Sequence, residues 1–201
     1  LANQIKLDIK PSKADLLIDK SKNLFIESSK KNNNKKDEII NDAINVFIVG
    51  MPRSGSTLLD SIISLNEDSQ SLGEVNILEE SFLDRMRFKD KNIEETLLSL
   101  YSKKLKELNI NSNIVINKWL YNYQYTGVIA EHIFNSKIIH CFRHPLDNIL
   151  SIYRSNFINS NEYTSSLIDC AKVYLDHEEI MSAYKSKYCN KIYDFNYDSL
   201  V

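Results

Sequence analysis

The sequence predicts an α/β protein with a P-loop-like three-layer fold, in which helices cover both faces of a parallel sheet. The first reason is that short apolar runs alternate with amphipathic helical segments, an order that right-handed crossovers convert into a parallel sheet. The second is a glycine-containing loop between the first of these runs and a helix. A length of 201 residues is enough for one domain of this kind.

The N-terminal part of the chain differs in character from the rest. Apolar positions within residues 11–27 indicate one helix, and residues 28–38 form a polar run rich in lysine and asparagine. We interpret that run as a solvated linker, because Asp37 and Glu38 follow its lysines directly. The sequence therefore predicts a helix and linker over residues 1–43 and the main domain over residues 44–201.

The main domain shows the alternation most clearly. Four segments are short, apolar and typical of buried parallel strands: 45–49, 114–116, 137–142 and 191–195. Apolar residues at helical spacing predict helices that begin at Ser56, cover 121–134, follow Pro145 and lie around 167–175. A further helix between the first two strands is outlined by Ile93, Leu97, Tyr101, Leu105 and Leu108.

Composition and charge exclude several classes of protein. With 43% hydrophobic and 26% charged residues, the chain is neither collagenous nor largely disordered. Its apolar runs are far shorter than the roughly 18 residues of a membrane-spanning helix. A net charge of −2 provides no broad cationic surface for nucleic acid. The three cysteines form neither a CxxC pair nor a His-Cys cluster, which predicts reduced thiols in a cytoplasm and no zinc or disulfide framework.

The positions of the glycines indicate a binding loop. The chain has only four glycines and three prolines, yet Gly50, Pro52 and Gly55 lie within one short segment. Glycine is needed where φ is positive or where the backbone approaches a ligand closely. A loop of this kind that leads into a helix presents free amides and the positive end of the helix dipole to an anion. Residues 50–57 are therefore predicted to bind a phosphate.

The same residues have the frame of a Walker A loop with one important difference. Ser56 occupies the position of the lysine that reaches the β- and γ-phosphates of a nucleoside triphosphate. The cation is instead Arg53, inside the loop, and its planar guanidinium suits an oxyanion. The loop is thus predicted to bind a 5′-phosphate that carries one transferable group.

Two motifs then resemble a known superfamily. Residues 52–58 resemble the 5′-phosphosulfate loop of sulfotransferases that use 3′-phosphoadenosine 5′-phosphosulfate (PAPS), with Ser56 in place of the commoner threonine. Residues 143–151 resemble the 3′-phosphate motif of that superfamily, in which an arginine ends a strand and a serine follows in the next helix. Since Ser151 lies about two turns into the predicted helix, it can converge with Arg143 on one phosphate.

Three shorter segments are similar to tyrosylprotein sulfotransferases and to bacterial sulfotransferases fused to tetratricopeptide repeats. They are Gly73-Glu74, Asn117-Lys118 and the final residues 197–201, although Trp119 follows the lysine where relatives often carry methionine or aspartate. The resemblance covers roughly residues 44–201 and implies a bacterial cytoplasmic enzyme with upstream helical repeats. Because the segment that closes over the nucleotide in those families has no counterpart, we expect the fold to continue beyond Val201.

The resemblance also implies a role for each matched residue. Glu74 would be the base, Lys118 would stabilise the leaving phosphate and Arg53 would hold the phosphosulfate. The 3′-phosphate would be bound by Arg143 and Ser151. No metal is required, because a sulfuryl group carries less charge than a phosphoryl group. The implied PAPS-binding residues are Arg53, Ser54, Gly55, Ser56, Thr57, Leu58, Arg143, Ser151 and Tyr197.

Several residues have a plainer interpretation. Glu74 could cap a helix that starts near Asn76, Lys118 could be a solvated residue at a strand end, and Arg143 could pair with Asp147. For the tyrosines at 121, 123 and 125, packing is favoured over lining an acceptor cleft. The histidines at 140 and 144 are expected to be structural.

Three functions follow from these residues. The leading one is transfer of a sulfonate group from PAPS to a hydroxyl of a peptide tyrosine, a sugar or a small molecule, with 3′-phosphoadenosine 5′-phosphate (PAP) as the product. The alternatives are a P-loop kinase and a truncated nucleotide-binding module without catalytic activity.

Overall fold

The centre of the fold is a parallel sheet with the strand order β2-β3-β1-β4-β5. A computed structural model describes residues 2–29, 43–91, 95–157 and 161–200. All pairings between neighbouring strands in these ranges are parallel, which confirms the predicted fold class. The strands are β1 (Ile44–Gly50), β2 (Ser69–Ser71), β3 (Ile114–Asn117), β4 (Ser136–Phe142) and β5 (Ile192–Asn196).

Helices cover both faces of the sheet. Those described are α1 (Ala2–Ile9), α2 (Ala14–Ser29), α3 (Ser56–Ile63), α4 (Ile77–Asp90), α5 (Leu97–Glu107), α6 (Thr126–His132), α7 (Pro145–Arg154) and α8 (Leu167–Lys187). None of them combines the length and the apolarity that crossing a bilayer requires.

The central strand β1 shows how the two layers of core are divided. Its side chains alternate, so Phe47 and Val49 belong to one buried cluster while Val46 and Ile48 belong to another. The first cluster includes residues of α4, α5, α6 and α8, and the second includes Leu59 of α3. A strand buried on both faces carries a continuous apolar run, which explains why β1 was easy to predict.

The N-terminal segment forms two helices, whereas the sequence predicted one over residues 11–27. Pro11 lacks an amide hydrogen and disfavours helical geometry at the residue before it, so α1 ends ahead of it. The next helix, α2, packs on the main domain: Gln124 donates hydrogen bonds to the Leu17 carbonyl at 3.0 Å and to the Ser21 hydroxyl at 2.9 Å. Of the predicted linker, residues 28 and 29 belong to α2, and residues 30–38 lie outside the described residues.

One strand was missed between the first two predicted strands. Strand β2 consists of three polar residues at the edge of the sheet, so it lacks the apolar pattern of a buried strand. The helix that follows it, α4, begins directly after Asn76, where the sequence placed a helix start. The helix outlined from Ile93 begins at Leu97 as α5, with the Thr96 hydroxyl accepting from the Ser99 amide at 3.1 Å, and Ile93 itself lies outside the described residues.

The single helix predicted over residues 121–134 is two elements. A 3₁₀ helix covers Leu120–Tyr125 and is followed by α6. The side chains of Asn122 and Gln124 are buried and bound to distant groups, and Asn122 donates to Asn117 Oδ1 at 3.0 Å. These tertiary contacts favour a tighter turn that apolar periodicity does not reveal.

Candidate active site

The glycine loop joins the end of β1 to the start of α3. Gly50 has a φ of +146° and Gly55 a φ of +92°, and both are packed against other segments. A Cβ atom at Gly50 would lie 2.3 Å from the Cys141 carbonyl oxygen, and one at Gly55 would lie 2.3 Å from the Tyr197 ring. Glycine is therefore required at both positions for steric reasons as well as for the backbone angles.

The end of this loop has the properties of an anion site. The first hydrogen bond of α3 runs from the Leu59 amide to the Gly55 carbonyl, so the amides of residues 56–58 precede it at the positive end of the helix. The Ser54 hydroxyl is buried and has no hydrogen-bond partner among the described residues. A bound oxyanion could satisfy all of these donors.

Arg53 connects the loop to α7. It is one of the described non-glycine residues with positive φ, at 67°. Its Nε donates to the Ser151 hydroxyl at 3.3 Å. The loop is also tied to α7 by Asn148, whose amide donates to the Pro52 carbonyl at 2.9 Å. The two predicted phosphate motifs are therefore in direct contact.

Arg143 follows β4, the neighbour of β1, and lies at the same edge of the sheet. Its guanidinium is 5.1 Å from the centroid of the Tyr197 ring, and its Nε is 3.8 Å from Asp198 Oδ1. Asp198 Oδ2 also accepts a hydrogen bond from the His144 amide at 2.5 Å. Asp198, rather than Asp147, which the sequence offered as an alternative partner, is thus the carboxylate that forms an ion pair with Arg143.

Glu74 and Lys118 form an ion pair at the ends of β2 and β3. Lys118 Nζ is 2.8 Å from Glu74 Oε1 and 3.4 Å from the Thr57 hydroxyl. The lysine side chain is 7% exposed and that of the glutamate 62%. A buried lysine thus joins an exposed carboxylate to the glycine loop. Glu74 is not the cap of α4, which begins after Asn76, and Lys118 is not a solvated residue.

These groups surround one cleft of about 360 Å³. Its wall includes Trp119, Leu120, Tyr121 and Phe157 in addition to predicted residues. The predicted residues that line it are Arg53, Gly55, Ser56, Thr57, Leu58, Glu74, Arg143 and Tyr197. Lys118 and Ser54 lie buried beside this cleft rather than in its wall.

Ser151 lines a second cleft of about 340 Å³ that shares Arg143 with the first. Arg154, one turn beyond Ser151 on α7, also lines it. Sequence reasoning missed Arg154 and Asp198 as site residues. The sequence does place Arg154 at helical spacing from Ser151 and Asp198 directly after Tyr197. Such spacings are too common to single out either residue.

The three tyrosines of residues 121–125 have different surroundings. Tyr123 and Tyr125 are buried in the core, as predicted, whereas Tyr121 contributes to the cleft. Burial raises the pKa of Tyr121 to about 12, so its hydroxyl stays protonated and acts as a donor. It donates to Asn161 Oδ1, which also lies in the cleft wall.

The two histidines near Arg143 are not part of the cleft wall. His140 is buried, and burial together with the neighbouring His177 lowers its pKa to about 2, so it is neutral. His144 is exposed, and its Nδ1 lies 3.9 Å from Asp147.

Comparison with known proteins identifies the family to which the chain belongs. The sequence profile described as "Sulfotransferase family" matches residues 45–201, which is most of the chain. The chain therefore belongs to the sulfotransferase family.

An uncharacterized protein from Aquifex aeolicus (strain VF5) is 26% identical, and the match covers 77% of this chain. The chain spans 23% of the length of that relative. A crystal structure of shikimate kinase from Bacteroides thetaiotaomicron superimposes with a TM-score of 0.45 and 17% identity, covering 77% of this chain and 87% of the kinase.

Proposed function

We propose that the protein transfers a sulfonate group from PAPS to an acceptor hydroxyl and releases PAP. The observation that carries this proposal is the contact between the two phosphate motifs, in which Arg53 donates to Ser151. A single ligand that carries a 5′-phosphate and a 3′-phosphate can therefore contact the two motifs at the same time. A nucleoside triphosphate would lack the loop lysine that neutralises its β- and γ-phosphates.

In this proposal the donor lies along the carboxyl edge of the sheet. The amides of residues 54–58 and the hydroxyls of Ser56 and Thr57 hold the 5′-phosphate, and Arg53 holds the phosphosulfate. Arg143 and Ser151 hold the 3′-phosphate, and the Tyr197 ring lies beside the nucleotide. The buried, unpartnered Ser54 hydroxyl and the packed glycines support this arrangement, because they form a cradle with donors that need an acceptor.

The reaction is an in-line displacement at sulfur. Glu74 accepts the proton of the acceptor hydroxyl, the hydroxyl oxygen bonds to sulfur, and the bond between sulfur and the bridging oxygen breaks. The negative charge that develops on the leaving phosphate is met by Lys118, which contacts both Glu74 and Thr57. Because Lys118 is buried, its charge is poorly screened by water and acts strongly on the bridging oxygen.

Isothermal titration calorimetry without Mg²⁺ tests the donor assignment. We expect PAP to bind at least tenfold more tightly than 5′-AMP, since only PAP reaches Arg143 and Ser151. Equal affinity for the two ligands contradicts the proposal. In a separate titration with Mg²⁺ present, tight binding of Mg-ATP together with equal affinity for PAP and 5′-AMP would favour a kinase.

A transfer assay tests the activity separately from binding. The protein is incubated with ³⁵S-labelled PAPS and with phenols, sugars and tyrosine peptides in turn. We expect label in at least one acceptor class and loss of that label in a Glu74→Gln variant. PAP binding without transfer to any acceptor indicates a nucleotide-binding module without catalytic activity.

A further inference from the structure

Two buried histidines meet between β4 and α8, outside the cleft wall. The Nε2 atom of His140 lies 3.2 Å from the Nε2 atom of His177, and each residue is 1% exposed. Tyr123 packs edge-on against the His177 ring, with the centroids 4.8 Å apart. The two imidazoles are thus fixed with one nitrogen of each directed at the other.

The other nitrogen of each ring faces a carboxylate. His140 Nδ1 is 3.3 Å from Asp194 Oδ1, and His177 Nδ1 is 3.1 Å from Glu178 Oε1. Asp194 is also held by Lys185, whose Nζ is 2.6 Å from Asp194 Oδ1. The Asp194 carboxylate behind His140 favours a hydrogen on Nδ1 and leaves Nε2 of that ring as a lone pair, which is how metal-binding histidines are usually oriented.

Two neutral imidazoles leave polar atoms of this cluster without a partner. Each neutral ring carries one N–H, so the pair can supply one hydrogen bond to Asp194 and one between the Nε2 atoms. His177 Nδ1 and Glu178 Oε1 are then buried without a hydrogen-bond partner among the described residues. A cation bound by the two Nε2 atoms and by Glu178 would give this buried carboxylate oxygen a partner.

We propose that His140, His177 and Glu178 bind one divalent transition-metal ion of the zinc type. Two nitrogens at about 2.05 Å from a tetrahedral ion are separated by about 3.3 Å, close to the observed 3.2 Å. Potential ligand atoms of the three residues lie within 4.8 Å of one another. Imidazole nitrogen favours zinc, cobalt or copper over magnesium or calcium.

Glu178 provides both a third ligand and a route for the ion. Its side chain is 44% exposed, unlike the histidines, so it can turn toward the pair and leaves the site open to water on that side. Asp194 stays with Lys185 and orients His140 instead of binding the ion. Because His140 is in the sheet and His177 is on α8, the bound ion ties this long helix to β4, three residues before Arg143.

Cobalt binding tests the site directly and does not depend on the proposed reaction. Co²⁺ is titrated into untagged protein that carries Cys189→Ser, because that thiol is exposed and could bind the metal itself. We expect one Co²⁺ per chain, visible absorption bands of a four-coordinate ion, displacement by Zn²⁺, and a raised unfolding temperature. If the protein does not bind Co²⁺, the two histidines form only a hydrogen-bonded pair and the proposal is overturned.

Variants identify the ligands. His177→Gln is expected to abolish the absorption bands, and Glu178→Gln, at a half-exposed position, to weaken Co²⁺ binding at least tenfold without loss of the fold. His132→Gln is the control, since it alters a half-buried histidine on α6 that lies outside the cluster. Circular dichroism checks folding of each variant. If Glu178→Gln and His177→Gln bind Co²⁺ as tightly as the His132→Gln control, the assignment is wrong.

Discussion

The two halves of the candidate site are constructed in different ways. The donor side, as proposed above, consists of residues 50–57, Arg143, Ser151 and Tyr197, and the proposed acceptor side consists of Glu74, Lys118 and Trp119. On the donor side the backbone is fixed by packed glycines with positive φ and by the Asn148 bond to the loop. On the acceptor side an ion pair between side chains joins a three-residue edge strand to its neighbour.

Each half is therefore sensitive to a different kind of substitution. A backbone cradle depends on the absence of side chains at particular positions, so an added methyl group is enough to destroy it. A pair of side chains depends on charge and can be altered without disturbing the fold. Substitutions on each side of the site test that contrast.

Loss of the acceptor-side carboxylate is expected to have the largest effect. Glu74→Gln should lower the sulfonate transfer rate by about 10² to 10⁴, the usual contribution of a positioned base. PAP affinity should remain unchanged, because Glu74 is on the acceptor side. Rates are measured with labelled PAPS, and Glu67→Gln, at an exposed position, is the control. A variant that loses PAP binding together with its rate would show that the two halves are not separable.

An added methyl group on the donor side should act on binding. Gly55→Ala places a Cβ atom 2.3 Å from the Tyr197 ring and is expected to weaken PAP binding about 100-fold. Gly73→Ala is the matched control, because Gly73 has a φ of +65° with nothing within 4 Å of the added atom. It should cost about 1 kcal/mol in stability and leave PAP affinity intact. Calorimetry measures the PAP affinity of each variant, and thermal unfolding measures its stability. Equal losses of PAP affinity in Gly55→Ala and Gly73→Ala would contradict the steric explanation.

A conservative change at Arg143 should affect only ligands with a 3′-phosphate. Arg143→Lys removes the planar fork and is expected to weaken PAP binding about tenfold while 5′-AMP affinity stays the same. Arg87→Lys, at an exposed position on α4, serves as the control. Titration of each variant with both nucleotides gives the comparison. Parallel losses for PAP and 5′-AMP would mean that Arg143 supports the loop rather than the 3′-phosphate.

The smallest expected effect is a change in stability at an ion pair that joins α4 to α2. Glu79 of α4 lies 2.5 Å from Lys20 of α2. Burial raises the pKa of Glu79, but the hydrogen bonds from Lys20 and Asn76 outweigh it and place the pKa below its ordinary value of 4.5. The stabilisation is therefore present above the unfolded-state pKa and is lost as the pH falls through the lower folded-state pKa.

Glu79→Gln should accordingly cost about 1 kcal/mol at pH 7 and have no effect in acid below the folded-state pKa. Urea unfolding at a series of pH values measures this difference. Glu95→Gln, in a more exposed pair with Lys103 at 2.7 Å, should change stability by less than about 0.5 kcal/mol. A Glu79→Gln effect that is constant at every pH would mean that the charge of Glu79 does not matter.

The same contrast explains which features the sequence could predict. Strand β1 and the glycine loop form one contiguous segment whose apolar run and glycines have direct physical causes, so both were predicted. The strand β2 was missed because three polar edge residues, Ser69–Ser71, have no pattern of their own and pair only through β3. Asp198 was missed as the partner of Arg143 because nothing local distinguishes it from Asp147, and only the adjacency of β4 and β5 decides between them.

The strand order also determines the length of the row of site residues along the carboxyl edge of the sheet. Glu74 follows β2, Lys118 follows β3, the glycine loop follows β1, Arg143 follows β4 and Tyr197 follows β5, so each strand of the described sheet contributes one position in spatial order. With neighbouring strands about 4.8 Å apart, the row extends about 19 Å from first to last. In the proposed arrangement the acceptor meets one margin of this row, whereas the donor extends across the ends of β1, β4 and β5.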